Sequence, residues 1–144
     1  CLAILFFTTQ KNILLTLSFS SLLTSFIVHI VAIALRCYLL GRPPVGTLYE
    51  SIIFVAMCVA AIGVIYHRKN RDGLALLTAS VGASGLTLLA NGFEGRGDDM
   101  TILSAVLNTR FWLATHVIII TLGYGWAVMT ALWAQALLFL RACN

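Results

Sequence analysis

Charge is scarce in this chain: 10% of its 144 residues are charged, whereas 60% are hydrophobic. An average soluble domain has about 25% charged residues, so this composition excludes an ordinary soluble domain and indicates a polytopic helical membrane protein. The nine basic residues exceed the five acidic ones but show little clustering. We therefore expect no nucleic-acid partner, and we attribute the net charge of +4 to membrane topology.

Motifs of soluble enzymes are missing as well. The sequence has no catalytic triad, P-loop or set of zinc ligands, and its adjacent acidic residues at 98–99 have no acid–base spacing. No C-x-x-C or C-x-x-C-H pair occurs, so neither a dithiol redox site nor covalent haem attachment is indicated. We interpret most of the cysteines as small apolar packing residues. They are Cys1, Cys37, Cys58 and Cys143.

Proline occurs only at positions 43 and 44, where it ends the first of four long apolar runs. A helix needs about 20 apolar residues to cross a bilayer. We predict an all-α bundle, a single membrane domain over 1–144, with four transmembrane helices. The expected spans are about 12–40, 48–66, 74–91 and 111–140. The third is rich in small residues that permit close helix packing, namely Ala79, Ser80, Gly82, Ala83, Ser84 and Gly85.

The distribution of basic residues suggests an orientation. Four spans place five basic residues on one side and four on the other, which is a small difference. The compact cluster at 68–71 leads us to assign that loop, and both chain ends, to the cytoplasm. Residues 42–51 and 92–110 are then external. Helical spacing of apolar residues predicts a short external amphipathic helix at 100–108, capped by Asp98 or Asp99, that packs under the loop or presents a ligand.

One histidine stands in the most apolar part of the chain. His116 lies within 111–140, a stretch without any charged residue, about 9 Å along the helix from Arg110. Trp112 is one turn before it. An imidazole inside a membrane must bond to a neighbouring helix or bind a ligand, so His116 is a candidate functional residue in the external half of its span.

Two further histidines have simpler interpretations. His29 lies about two turns before Arg36 and is expected at a level similar to that of His116. It is either a second ligand or, as we favour, a group in an interhelical hydrogen bond. His67 follows the second apolar run, and we interpret it as a solvated residue of the basic loop.

Two short motifs precede or interrupt the spans. Thr47 and Glu50 have the spacing of a capping box, in which side chain and backbone satisfy each other at a helix start. The pentapeptide at 121–125, Thr-Leu-Gly-Tyr-Gly, is similar to a potassium-channel filter. A filter requires non-helical backbone, but apolar sequence continues on both sides, so we do not predict a filter here.

The segments at 41–51, GRPPVGTLYES, and at 107–117, LNTRFWLATHV, together resemble the CcsA/ResC type of cytochrome c assembly protein. That family carries P-x-x-N-L-Y-E-S before one span and W-L-x-x-H-V at the external start of a later one. The resemblance covers roughly residues 25–140. Both motifs occur in the family's order and on the same predicted side.

The resemblance implies a protein that binds haem b non-covalently, in transit, and presents it externally for attachment to apocytochrome c. His116 matches the first of two external histidines that hold the haem iron. The other matching motif positions, whose roles the resemblance does not specify, are Trp112, Pro43, Leu48, Tyr49, Glu50 and Ser51. Haem chemistry would do the bond formation, with the protein supplying ligand and orientation. A ResB/CcsB-type membrane partner is also implied.

The chain departs from this family in two respects. Thr47 replaces the usual Asn, although both residues cap helices. The Trp-rich W-G-x-x-W-x-W-D segment and the second external histidine are absent from these 144 residues. We therefore expect an N-terminal part of a cytochrome c synthase (haem lyase), inactive alone, in which only His29 is available as a substitute ligand.

The expected location is the bacterial inner (cytoplasmic) membrane, with the thylakoid as the alternative. A different class of function also remains open at this stage. A bundle lined by small residues suits a transporter or channel subunit without haem, although no inverted repeat supports it. A structural membrane subunit without a ligand is the third hypothesis.

Overall fold

A computed structural model describes residues 12–41, 47–71, 73–93 and 110–142, which contain four α-helices. The helices are α1 (Asn12–Leu40), α2 (Leu48–Asn70), α3 (Gly73–Asn91) and α4 (Arg110–Ala142). All four are long and apolar enough to cross a membrane. The all-α, four-span prediction is confirmed, and the chain is a multi-pass membrane protein.

The helices α2 and α3 form the centre of the bundle. Gly63 of α2 faces Ala79 of α3 so closely that a Cβ atom would not fit. Val59 and Leu76 are almost fully buried in the same core. α1 packs mainly on α2, and α4 packs on both α2 and α3, but α1 and α4 do not contact each other within the described residues. The helices α2 and α3 run antiparallel, which the short connection between Asn70 and Gly73 favours.

Side-chain contacts fix the register of α1 and of α4 against α2. The pairs are Arg36 with Glu50 and Phe19 with His67 between α1 and α2, and Cys58 with Gly125 and Tyr66 with Trp133 between α2 and α4. α2 therefore runs antiparallel to α1 and parallel to α4. We call the end of the bundle where α2 and α4 begin the Glu50 end, and the opposite end the His67 end.

The second helix is longer than predicted, which corrects the interpretation of His67. No glycine or proline follows until Gly73, so α2 continues to Asn70. It ends at Arg71, whose left-handed backbone (φ 52°) lets its N–H donate to the His67 carbonyl at 2.8 Å. His67 is consequently in the last turn of α2, only 7% exposed and packed against Phe19, rather than solvated in a loop.

The small residues of α3 are divided between two faces. Ala79, Gly82 and Ala83 are buried against neighbouring helices, as predicted, whereas Ser84 and Gly85 are exposed.

Two other predictions fall on residues outside those that the structure describes. They are the motif position Pro43 and the external helix at 100–108 with its cap.

Candidate functional site

The beginning of α2 is held by a complete capping box. The Thr47 hydroxyl accepts from the Glu50 N–H at 3.2 Å, and Glu50 Oε2 accepts from the Thr47 N–H at 3.1 Å. The Ser51 hydroxyl donates to the Thr47 carbonyl at 3.0 Å. The predicted capping role of Thr47 and Glu50 is therefore confirmed, and these bonds satisfy backbone groups that a helix start leaves unpaired.

Glu50 also joins α2 to α1. Its side chain is 2% exposed, and its Oε1 accepts from Arg36 Nε at 2.8 Å. The Arg36 guanidinium lies over the ring of Tyr49, 5.3 Å from the centroid. A buried carboxylate requires such a charged partner. The pair was not predicted from the sequence, although its signal was there: single opposite charges at the ends of two successive apolar runs.

A groove of about 310 Å³ lies beside this ion pair, between α1 and α2. Apolar side chains supply most of its lining, including Ile33, Leu39 and Ile53, and Arg36 and Glu50 supply the polar part. Leu48, the other motif position in this turn, is 59% exposed and points away from the core. At this end, Arg36, Tyr49, Glu50 and the Thr47 backbone thus form one network of polar contacts that joins α1 to α2. Apolar side chains surround it.

His116 lies in the second turn of α4, near its start. In the register of α2 against α4, His116 lies at the level of Tyr49, the residue that precedes Glu50 in α2. Its side chain is exposed on the outer surface of the bundle, and within the part of the chain that the structure describes it forms no hydrogen bond. Trp112, one turn earlier, is 67% exposed. His116 therefore has no hydrogen bond to a neighbouring helix among the described residues, and the choice between its two predicted roles stays a prediction.

His29 has a different environment. Its Nδ1 lies 2.8 Å from the Ser25 carbonyl, which can only accept, so Nδ1 carries the proton. Nε2 is then an acceptor. It lies 3.5 Å from Thr87 Oγ1 of α3, whose hydroxyl donates to the Ala83 carbonyl at 2.8 Å. His29 thus contacts α3 at the limit of hydrogen-bond distance, and its interhelical hydrogen bond stays a prediction. The Nε2 lone pair of this imidazole faces α3.

The two membrane-embedded histidines are not level, contrary to expectation. The same register places His29 about eight residues, or roughly 12 Å, deeper than His116 along the bundle. His29 belongs to α1 and His116 to α4, and these helices do not contact each other in the described residues. The structure does not bring the two imidazoles together.

The surface of α4 around His116 is open and apolar. Ile119 and Ile120 are exposed one turn further along the helix, and nothing lies within 4 Å of the Cβ position at Gly123, two turns along. Gly125, in contrast, faces Cys58 at 2.6 Å, so it allows α4 to approach α2. Because α4 is continuous from Arg110 to Ala142, residues 121–125 are helical and do not form a channel filter.

The donor set of this site restricts its chemistry. Within the described residues, no group of three or more His, Cys, Asp or Glu side chains is placed to hold a metal ion. A single imidazole beside an open apolar surface does not suit zinc, which takes three or four protein ligands. It suits the iron of a planar cofactor that supplies its own equatorial ligands.

Known proteins are similar to this chain over most of its length. Cytochrome c biogenesis protein CcsA of Daucus carota is 30% identical over 125 residues, which cover 83% of this chain and 37% of that protein. CcsA of Coffea arabica is 34% identical over 101 residues, covering 68% and 30%. Protein NrfI of Wolinella succinogenes is 30% identical over 100 residues, covering 69% and 11%.

The predicted resemblance to CcsA is thereby confirmed. The chain spans about a third of the length of these two CcsA proteins and about a tenth of NrfI. No protein-family model matches it, and no solved structure matches it.

Proposed function

We propose that this chain, whose sequence is of the CcsA type, acts in cytochrome c biogenesis by holding haem b at the Glu50 end of the bundle and presenting it to apocytochrome c. One observation carries the proposal: the His116 imidazole is exposed at this end and has no hydrogen-bond partner among the described residues. On this proposal, its ring nitrogen is the axial ligand of the haem iron.

Physical chemistry favours a ligand at this position. An imidazole in an apolar environment is costly unless its nitrogens are bonded. Iron ligation would satisfy one nitrogen, and the exposed apolar surface of α4, including Ile119 and Ile120, would cover one face of the macrocycle. Trp112 would lie at its edge. The bound haem would supply the reactive vinyl groups, while the chain supplies ligation, orientation and an apolar wall.

Glu50 takes a positioning role in this proposal. Both of its carboxylate oxygens are bonded, one to Arg36 and the other to the Thr47 backbone. It therefore fixes the beginning of α2 against the end of α1, and it does not contact haem directly. Tyr49 is held by the same network through Arg36. These contacts explain two of the motif positions as a scaffold next to the haem site.

Assembly and location follow from the same proposal. On this proposal the membrane is a bacterial inner membrane. The positive-inside rule supports an orientation with the Glu50 end outside the cytoplasm, because Arg68, Lys69 and Arg71 lie at the opposite end. His29 does not serve as the second axial ligand on this proposal, because it lies about eight residues deeper than His116, on a helix that does not contact α4 among the described residues. The second ligand therefore comes from outside the residues described, and a ResB/CcsB-type partner shares the work of delivery.

The test is the haem content of variants expressed from the complete gene and purified from membranes. His116→Ala is expected to lower co-purified haem at least about tenfold, the scale on which metal-site changes act. His29→Ala is the matched control, since it also removes a membrane-embedded imidazole, and haem should stay within about twofold. Equal haem in wild type and His116→Ala, with both proteins inserted equally, would contradict the proposal.

A further inference from the structure

A second groove lies at the His67 end of the bundle, between the first turns of α1 and the last turn of α2. It has a volume of about 360 Å³ and lies roughly 25 Å along α2 from Glu50. One wall is mainly apolar and the other is basic. Its lining residues are Leu15, Thr16 and Phe19 of α1, and His67, Arg68 and Arg71 at the end of α2.

The groove is a built feature of the helix end. The His67 ring is buried and packs on Phe19, with the ring centroids 5.0 Å apart. The Arg71 N–H donates to the His67 carbonyl at 2.8 Å, which turns the chain back over the last turn of α2. Arg68 and Arg71 are exposed at the rim. Two arginines thus line the groove beside an aromatic and aliphatic wall.

The local charge favours an anion. The end of α2 carries a partial negative charge of about half a unit, but the start of α3 at Gly73 carries the opposite partial charge nearby. Residues 68–72, at the end of α2 and directly after it, contribute three full positive charges against one negative charge. The positive charges are those of Arg68, Lys69 and Arg71, and the negative charge is that of Asp72. The full charges exceed the partial ones, so the net field at the rim is positive.

The level of the groove matches a membrane interface. The apolar sequence of α2 ends at Tyr66, which packs edge-on against Trp133 of α4 with centroids 4.3 Å apart. Tyr and Trp concentrate where lipid headgroups begin. The cationic rim follows directly after this level, at the depth of lipid phosphates. Phe19 is level with His67 and Leu15 with Arg71, so the apolar wall lies beside the rim, where the glycerol and the first acyl carbons of a lipid would lie.

From these observations we infer that the His67-end groove binds the phosphodiester of an anionic phospholipid such as phosphatidylglycerol. Guanidinium groups pair with phosphate oxygens in bidentate geometry, and basic pockets between transmembrane helices are suited to anionic headgroups. The apolar wall favours a lipid over free phosphate, which would leave Leu15 and Phe19 facing water. This inference is independent of haem binding at the opposite end.

The test measures lipid retention by the complete protein in detergent, by native mass spectrometry with phosphatidylglycerol and phosphatidylcholine as probes. Wild type should retain phosphatidylglycerol about tenfold more tightly than phosphatidylcholine. The double variant Arg68→Gln/Arg71→Gln should lose this preference. The matched control Lys69→Gln/Arg141→Gln removes two charges from the same end but outside the groove, so it should stay within about threefold of wild type.

Several outcomes would overturn the inference. Equal losses in the two double variants would show diffuse surface attraction instead of a groove. Displacement of the lipid by millimolar inorganic phosphate would show a phosphate site without a lipid requirement. If the arginine variant fails to insert, Leu15→Ser decides: it keeps both arginines, and it should weaken phosphatidylglycerol binding several-fold if acyl chains use the wall. Unchanged binding in Leu15→Ser would contradict a lipid site.

Discussion

Glu50 and His116 lie at the same level of the bundle, yet their surroundings differ completely. Glu50 is buried between α1 and α2, and its two carboxylate oxygens accept from Arg36 and from the Thr47 backbone. His116 is exposed on α4 and forms no hydrogen bond with any described residue. The Glu50 carboxylate is thus bonded through both oxygens within the fold, whereas the His116 imidazole has no hydrogen bond to the described residues.

His29 extends this comparison. It has the same side chain as His116 and an equally apolar sequence around it, but its two nitrogens face Ser25 and Thr87. A membrane-embedded histidine is thus not by itself evidence of a ligand. The distinguishing property is whether the described helices already contact the ring nitrogens, and the following predictions test that distinction by separating stability from haem content.

The largest effect on stability is expected at Glu50. Glu50→Ala removes the capping box and the carboxylate that accepts from Arg36, which should cost about 3 kcal/mol of unfolding free energy. The measurement is unfolding in mixed micelles of mild detergent and dodecyl sulfate. The control Thr47→Asn keeps a capping side chain and should change stability by less than about 0.5 kcal/mol.

The double variant Glu50→Ala/Arg36→Met sharpens this prediction. If the cost arises from an orphaned charge, removing Arg36 as well should recover about 1 kcal/mol or more. Strict additivity of the two single changes would instead mean that the ion pair does not couple α1 to α2.

Two glycines of α4 compare the inner and outer faces of one helix. Gly125→Ala forces a methyl group against Cys58 and should cost about 2 kcal/mol by overpacking. Gly123→Ala points into open space, so it should be neutral or stabilising by up to about 1 kcal/mol through helix propensity. The same unfolding assay applies to both. A reversed order of the two effects would contradict the described packing of α4 on α2.

The outer face should respond in haem content instead. Gly123→Leu adds a large side chain two turns from His116 on the exposed side, where nothing lies within 4 Å. Stability should not fall by more than about 0.5 kcal/mol, while co-purified haem should fall several-fold if the macrocycle lies on this face. A normal haem content would place the macrocycle elsewhere around His116.

The smallest effect is expected at His29. His29→Ala removes one long interhelical contact to Thr87, and such bonds in membranes contribute about 0.6 kcal/mol. A loss of haem comparable to that of His116→Ala would break the proposed distinction between the two histidines, because it would show that a satisfied imidazole still contributes a ligand.

Much of this fold could be predicted from apolar runs and breakers. The four helices appear where the runs predict them, and the Thr47 capping box follows from spacing alone. The helix α2 extends beyond the predicted span at 48–66, because a helix can continue through Arg68 and Lys69 into the interface. Local sequence carried no information on which face of that last turn contacts α1.

The site was less predictable, because it depends on contacts between distant residues. The isolation of His116 in apolar sequence was visible, but its bonding state required the positions of α2, α3 and α4. The Arg36–Glu50 pair joins residues 14 apart in two different helices. Likewise, nothing in the sequence placed His29 deeper than His116, since helix register is set by packing residues such as Gly63 and Gly125.

The most direct test of the central claim is chemical rescue of the imidazole. His116→Gly removes the ring, so the complete protein should lose its haem absorption band. Added imidazole at millimolar concentration should restore that band, because free imidazole can occupy the vacated position and ligate the iron. The account predicts both the loss and the recovery. Retention of a wild-type haem band by His116→Gly without imidazole would contradict it.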